Sequence, residues 1–303
     1  NHASSDLPAS DAASVVHATA LMPDDADDRD ADNTDADDRG AIDSAGEKRA
    51  VDPAAPVEAK VMVTEAGPVA APAAADPLTP FGALQARLSG GLLAERQRIN
   101  REATLDAVWS QCDATGRIAN LRRAARLEPG DHRGALYNDS DVYKMVEGAA
   151  AILALRPDAR SQQRLDALID TIVQAQGGDG YVNSWYTLVE PDAKWSNLAH
   201  GHEMYCLGHL IEAAVTSYEG SGDRRLLGAA DRAARLLDQR FGPNGVAAVA
   251  GHPEIEIALM RLYGVTGNPR DLALAARFID ERGVHTTREP LGDYCQDHFP
   301  LRE

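Results

Sequence analysis

Cysteine is scarce in this sequence. Three cysteines, Cys112, Cys206 and Cys295, stand far apart among 303 residues with no CxxC pair. That count excludes a disulfide framework and fits reduced thiols in a cytoplasmic setting. Long apolar runs are missing as well. None approaches the ~20 residues that cross a bilayer, and no basic stretch followed by an apolar core marks a signal peptide. Positive charge is in deficit. A net charge of −17 argues against nucleic acid or an anionic membrane as partner. No glycine-rich phosphate loop, no GxSxG elbow and no HExxH motif occurs.

Much of the negative charge is local. Residues 1–60 hold 15 acidic and 5 basic side chains, which accounts for −10 of the −17. The run PDDADDRDADNTDADD (23–38) has almost no apolar residue. It buries too little surface to offset chain entropy, so residues 1–76 are expected to be a disordered acidic tail and Pro/Ala-rich linker. Residues 77–303 are expected to form the folded domain.

Beyond Leu78 the pattern is helical. Apolar residues recur at helical spacing over 149–155, 165–175, 207–218, 226–241, 255–263 and 272–279. The breaks RPD, GSGD, FGPNG and TGNPR are helix punctuation, and convincing alternating strands are absent. Tyr218, Gly222 and Leu227 recur 45 residues on as Tyr263, Gly267 and Leu272. Repeated helical hairpins mean an all-α fold, either a solenoid or a closed ring; periodicity leaves both open.

Two stretches carry chemistry. GHEMYCLGH (201–209) places His202, Cys206 and His209 at i, i+4 and i+7, one face of a helix. Three readings compete: a zinc site, ordinary packing, or ligand contact through His202 and Glu203. GHPEIE (251–256) reads as a helix start with Pro253 at the first position, two glutamates complementing the dipole, and His252 projecting just before it. In NDSDVYKMVEG (138–148), Asp139 or Ser140 suits a cap, and Asp141 with Lys144 suits a surface ion pair. Tyr181, Trp185, Tyr186 and Trp195 suit either stacking on a sugar ring or closing a hydrophobic layer.

Together these stretches resemble glycoside hydrolase family 127, the bacterial β-L-arabinofuranosidase family. The likeness runs over about 80–303 and rests on LYNDSDVYKMVEGAA, AQGGDGYVNSWY, WSNLAHGHEMYCLGH, GHPEIEIALMRLYGVTGNPRD and YCQDHFPLRE. The resemblance implies the N-terminal part of an (α/α)6 barrel built from helical hairpins. It implies retaining exo-hydrolysis of terminal β-L-arabinofuranosides, so an arabinofuranose-containing glycan or glycoconjugate is the expected partner. It also implies zinc holding a cysteine nucleophile, with a glutamate as acid. Those groups belong to later family motifs, so the zinc ligands are expected beyond residue 303 and no catalytic or metal residue is assigned in this chain. His202 and His252 are the expected substrate-binding residues, and His298 is a further candidate. This stretch alone is expected to be inactive and prone to self-association as a homo-oligomer through uncovered apolar faces. The competing functions are another sugar-active α/α-barrel enzyme, an epimerase or unsaturated-uronide hydrolase, or a non-catalytic helical scaffold.

Overall fold

Two glycines spaced 45 residues apart end two helices in the same way. Gly222 and Gly267 adopt φ of 77° and 67°, and their amides donate to the carbonyls of Tyr218 at 2.8 Å and Tyr263 at 2.7 Å. Only glycine takes this left-handed C-cap without steric cost. The weak internal echo in the sequence is therefore a repeated helix stop. After the second stop, Asn268 caps the next helix by accepting from the Arg270 amide at 3.2 Å, and Pro269 occupies its first turn.

A computed structural model of the chain describes residues 61–63, 86–284 and 300–301. A short antiparallel pair, β1 (Val61–Val63) and β2 (Ala86–Leu88), aligns Val61 with Leu88. Helix α1 (Gly91–Ile99) continues through a π-helical turn (Asn100–Thr104) into α2 (Leu105–Ala114), and α3 (Arg117–Ala124) follows. Three hairpins come next: α4 (Asp139–Leu155) with α5 (Ala159–Ala175), α7 (Glu203–Ser221) with α8 (Arg225–Phe241), and α9 (Ile255–Thr266) with α10 (Pro269–Glu281). A single turn and a half, α6 (Ser184–Leu188), lies between the first two hairpins. Apart from that one short strand pair, the described part is thus helical, in keeping with the all-α fold class expected. Among the described helices none is long and apolar enough to cross a membrane. The acidic stretch up to residue 60 lies outside the described residues, as do Cys295 and His298.

The hairpins stack in two rows. The first arms α4, α7 and α9 pack side by side, with α7 in the middle, and the second arms α5, α8 and α10 back them. The two rows differ in sequence for that reason. Each second arm is amphipathic and buries one stripe, such as Leu226, Ala230, Ala233, Leu237 and Phe241 of α8. Helix α7 is enclosed on most sides, so Met204, Leu207, Leu210, Ile211 and Val215 are all buried. Before its last turn, its partly open positions, Tyr205, His209 and Thr216, form one stripe. Asp141, Lys144 and Glu147 of α4 face the same strip, tied across it by Lys144 to Tyr205 and by Arg261 of α9 to Glu147, Glu212 and Thr216.

Sequence and structure differ at two helix starts. Neither Asp139 nor Ser140 caps α4; Asn138 holds that position without a side-chain capping bond, its side-chain amide donating instead to the Arg133 carbonyl at 3.2 Å. Asp139 is buried and serves α6 instead, accepting from the Ser184 amide at 2.6 Å and its hydroxyl at 2.5 Å. Asp141 pairs with Arg117 at 2.7 Å rather than with Lys144. Helix α9 begins at Ile255, two residues after Pro253. Glu256 there forms a buried pair with Arg282 at 2.8 Å, a specific partner rather than a diffuse dipole contact.

Candidate functional site

The N-termini of α4, α7 and α9 converge, and each brings a ring just ahead of its first residue: Tyr137, His202 and His252. The His202 and His252 rings lie 4.6 Å apart between centroids, and Tyr137 lies 5.2 Å from His202. The two histidines singled out by sequence are therefore neighbours, drawn from motifs 50 residues apart.

Local backbone geometry explains why glycines flank them. A Cβ on Gly201 would come within 2.3 Å of the Asn197 carbonyl and 2.5 Å of the Tyr186 hydroxyl. Gly201 therefore lets the chain turn tightly into His202. His202 itself adopts φ 53°, ψ 18°, a left-handed conformation that costs a non-glycine residue about 1 kcal/mol. The conformation is held by the Cys206 amide donating to the His202 carbonyl at 2.9 Å. The amide of Gly251 donates to Leu198 at 2.9 Å, joining the loop ahead of α9 to the loop ahead of α7. Gly208 provides the notch for that approach, since a Cβ there would meet Glu254 Cγ at 2.6 Å.

The electronic state of His202 follows from its contacts. Its Nδ1 lies 2.6 Å from the His200 carbonyl, which only accepts, so Nδ1 carries the hydrogen. Burial lowers the His202 pKa, partly opposed by that bond and reinforced by His252. Three converging helix N-termini also disfavour an imidazolium. At neutral pH the ring is neutral, and Nε2 presents a lone pair that accepts from a hydroxyl.

Tyr205 sits beneath the pair. Its ring meets His202 at 5.7 Å, His252 at 5.6 Å and His209 at 4.6 Å, each edge-on, and its hydroxyl accepts from Lys144 Nζ at 2.7 Å. His209 Nδ1 is 3.2 Å from Glu254 Oε1. Tyr205 was not singled out from sequence, and Lys144 and Glu254 were read there only as an ion-pair partner of Asp141 and a dipole contact. The signal for Tyr205 was there: it stands at i+3 from His202, on the stripe that continues to His209.

The other members of GHEMYCLGH point elsewhere. Glu203 is buried and turned away from the histidine pair, accepting from the Tyr181 hydroxyl and from the Trp195 amide at 2.7 Å. Burial raises its pKa to about 7. Cys206 is fully buried, and its thiol donates to the Tyr137 carbonyl at 3.6 Å. Burial raises that thiol well above its ordinary value, the reverse of what a thiolate ligand or nucleophile needs. Among the described residues no three His, Cys, Asp or Glu side chains group around a common metal position. The donor set described here does not fit a zinc ion. Tyr181, Tyr186 and Trp195 are buried in the core, so of the two roles open to them they close a hydrophobic layer.

Comparison with known proteins decides the family. The profile described as beta-L-arabinofuranosidase, GH127 catalytic domain, matches residues 85–303. The chain belongs to this family. Family GH127 relatives show the likeness in sequence and in shape. A non-reducing end beta-L-arabinofuranosidase from Bifidobacterium longum subsp. longum is 41% identical over 172 residues, which cover 55% of this chain and 26% of that protein. The crystal structure of a GH127 beta-L-arabinofuranosidase from Geobacillus stearothermophilus T6 superposes with a TM-score of 0.64 at 34% identity, covering 69% of this chain and 33% of that one. A second GH127 structure, a beta-arabinofuranosidase, gives 0.63 at 32% identity, covering 69% of this chain and 34% of that one. The chain thus spans about a quarter to a third of the length of these relatives.

Proposed function

We propose that this GH127 chain supplies part of the sugar-binding pocket of a retaining exo-glycosidase that releases terminal β-L-arabinofuranosyl groups from glycans or glycoconjugates. The observation that carries the reading is the His202–His252 pair at the convergence of three helix N-termini. Nε2 of His202 accepts a hydrogen bond from a sugar hydroxyl, and the His252 ring, 4.6 Å away between centroids, is placed to meet an adjacent hydroxyl of a small ring. The paired rows α4–α7–α9 and α5–α8–α10 support the (α/α)6-barrel reading, as three of six hairpins, with the open strip facing the pocket. The zinc and the cysteine and glutamate of the family chemistry have no counterpart in the described site and belong, on this reading, to residues outside this chain. Sparse free cysteines support a cytoplasmic location.

The test is kinetic. In the full-length protein, His202→Ala and His252→Ala are each expected to lower kcat/KM on an aryl β-L-arabinofuranoside about tenfold, the worth of one hydrogen bond of about 1.4 kcal/mol. Circular dichroism should be unchanged. Wild-type kcat/KM in both variants overturns the reading.

A further inference from the structure

A second contact joins the two histidine motifs. The side chain of Glu254, two residues after His252, lies across the notch at Gly208, where a Cβ would meet its Cγ at 2.6 Å. Its Oε1 reaches His209 Nδ1 at 3.2 Å. His209 in turn stands edge-on to Tyr205, the ring on which both site histidines rest. Glu254 makes no capping bond to α9, so its carboxyl is not explained by helix initiation. We propose that Glu254 is a positioning residue: clamped between Gly208 and His209, it fixes the loop that carries His252 and so sets the spacing of the histidine pair. The proposal rests on the reading of that pair as the sugar grip.

The surrounding charges give the clamp a direction. Acting on Glu254 are Lys144 and Glu147 from α4, His209 and Glu212 from α7, and Glu256 from its own helix, while Asp141 acts on His209 and Arg261 on Glu212. Burial first, then Glu212 and Glu147, raise the Glu254 carboxyl to about 7. Burial, reinforced by Lys144, lowers His209 to about 4, so its ring is neutral across the physiological range. His209 Nε2 is buried without a hydrogen-bond partner. A lone pair there costs less than an orphaned N–H, which places the hydrogen on Nδ1, the nitrogen that lies 3.2 Å from Glu254 Oε1. When Glu254 ionises, its carboxylate attracts the Nδ1–H of His209 3.2 Å away, while Glu212 and Glu147 repel it. The clamp tightens as pH rises through neutrality.

The experiment compares wild type with Glu254→Gln in the full-length protein, with His209→Gln as a second route to the same contact should the first variant fold poorly. KM and kcat on an aryl β-L-arabinofuranoside are followed from pH 5 to 9. Ring-nitrogen NMR of the histidines is followed without substrate over the same range. In wild type, KM is expected to fall as pH rises through about 7. The variant should lose that limb, raise KM about three- to tenfold at pH 8 and keep kcat within about twofold, while the His252 ring signal moves without substrate present. An unchanged KM profile together with an unmoved His252 signal overturns the proposal. The NMR arm needs no sugar. Failure of the sugar reading, seen with His202→Ala and His252→Ala, is thereby told apart from failure of the clamp.

Discussion

At the scale of single residues, the site depends on where a side chain is missing. Gly208 lets the GHPE loop lie on α7. Alanine there would place a Cβ 2.6 Å from Glu254 Cγ and 3.2 Å from the backbone of Glu254 and Ile255. Two effects compete. Overpacking costs about 1–3 kcal/mol, and replacing a mid-helix glycine by alanine returns about 1 kcal/mol of helix propensity. Gly208→Ala is therefore expected to lose about 1 kcal/mol in urea unfolding, yet to raise KM several-fold, because the displaced loop carries His252. A variant with wild-type KM would show that the notch does not position the pair. The sequence made His252 legible as a candidate, because a histidine just ahead of a helix has little packing role, whereas His202, read there on the helix face but placed at the cap of α7, was singled out through the family resemblance. The sequence showed Lys144 and Glu254 only as a surface ion-pair partner and a dipole contact, because their contacts across α4, α7 and α9 are encoded by no local spacing. Glu203 misled for the opposite reason: adjacency to His202 says nothing about facing, and the turn from left-handed to helical backbone sends the two side chains apart.

At the scale of elements, helix existence was legible and helix starts were less so. The stops at Gly222 and Gly267 and the start at Asn268–Pro269 are local chemistry, and they fall where the sequence puts them. The helices α1 to α3 were not separately read, since α1 buries none of its residues and carries little periodic signal. The start of α4 failed differently. Asp139 has cap chemistry, but its acceptors are claimed by Ser184, 45 residues on. That tie locks α6, and with it the segment leading to the His202 loop, onto α4. Asp139→Ala leaves the buried Ser184 amide and hydroxyl without their acceptor, at an expected cost of about 2 kcal/mol. Asp139→Asn keeps one acceptor oxygen and should cost about half as much. Differential scanning fluorimetry of wild type and the two variants checks the order; wild-type melting temperatures in both variants would show that the tie contributes nothing.

At the scale of the whole molecule, buried carboxyls govern how stability responds to pH. Burial raises Glu203 from 4.5 to about 7 and Asp139 from 3.8 to about 6. Each holds its proton longer in the fold than in the unfolded chain. The folded state therefore binds more protons between the two values, and stability falls as pH rises through that window. His209, lowered from 6.5 to about 4, has the opposite sign and gains stability as pH rises from about 4 to 6.5. The general self-repulsion of a chain at −17 adds to the carboxyl side. A Glu203→Gln variant separates these contributions. It gives up one of the two bonds made to Tyr181 and Trp195, a loss that is the same at every pH. What it removes selectively is the ionisation of Glu203, whose shift corresponds to about 3 kcal/mol. Relative to wild type, the variant should therefore gain about 3 kcal/mol between pH 4.5 and pH 8, with most of the change below pH 7. Urea unfolding at pH 4.5, 6 and 8 measures it. Parallel curves for the two proteins would mean that Glu203 is already ionised in the fold at low pH, and that the Tyr181 and Trp195 contacts outweigh its burial.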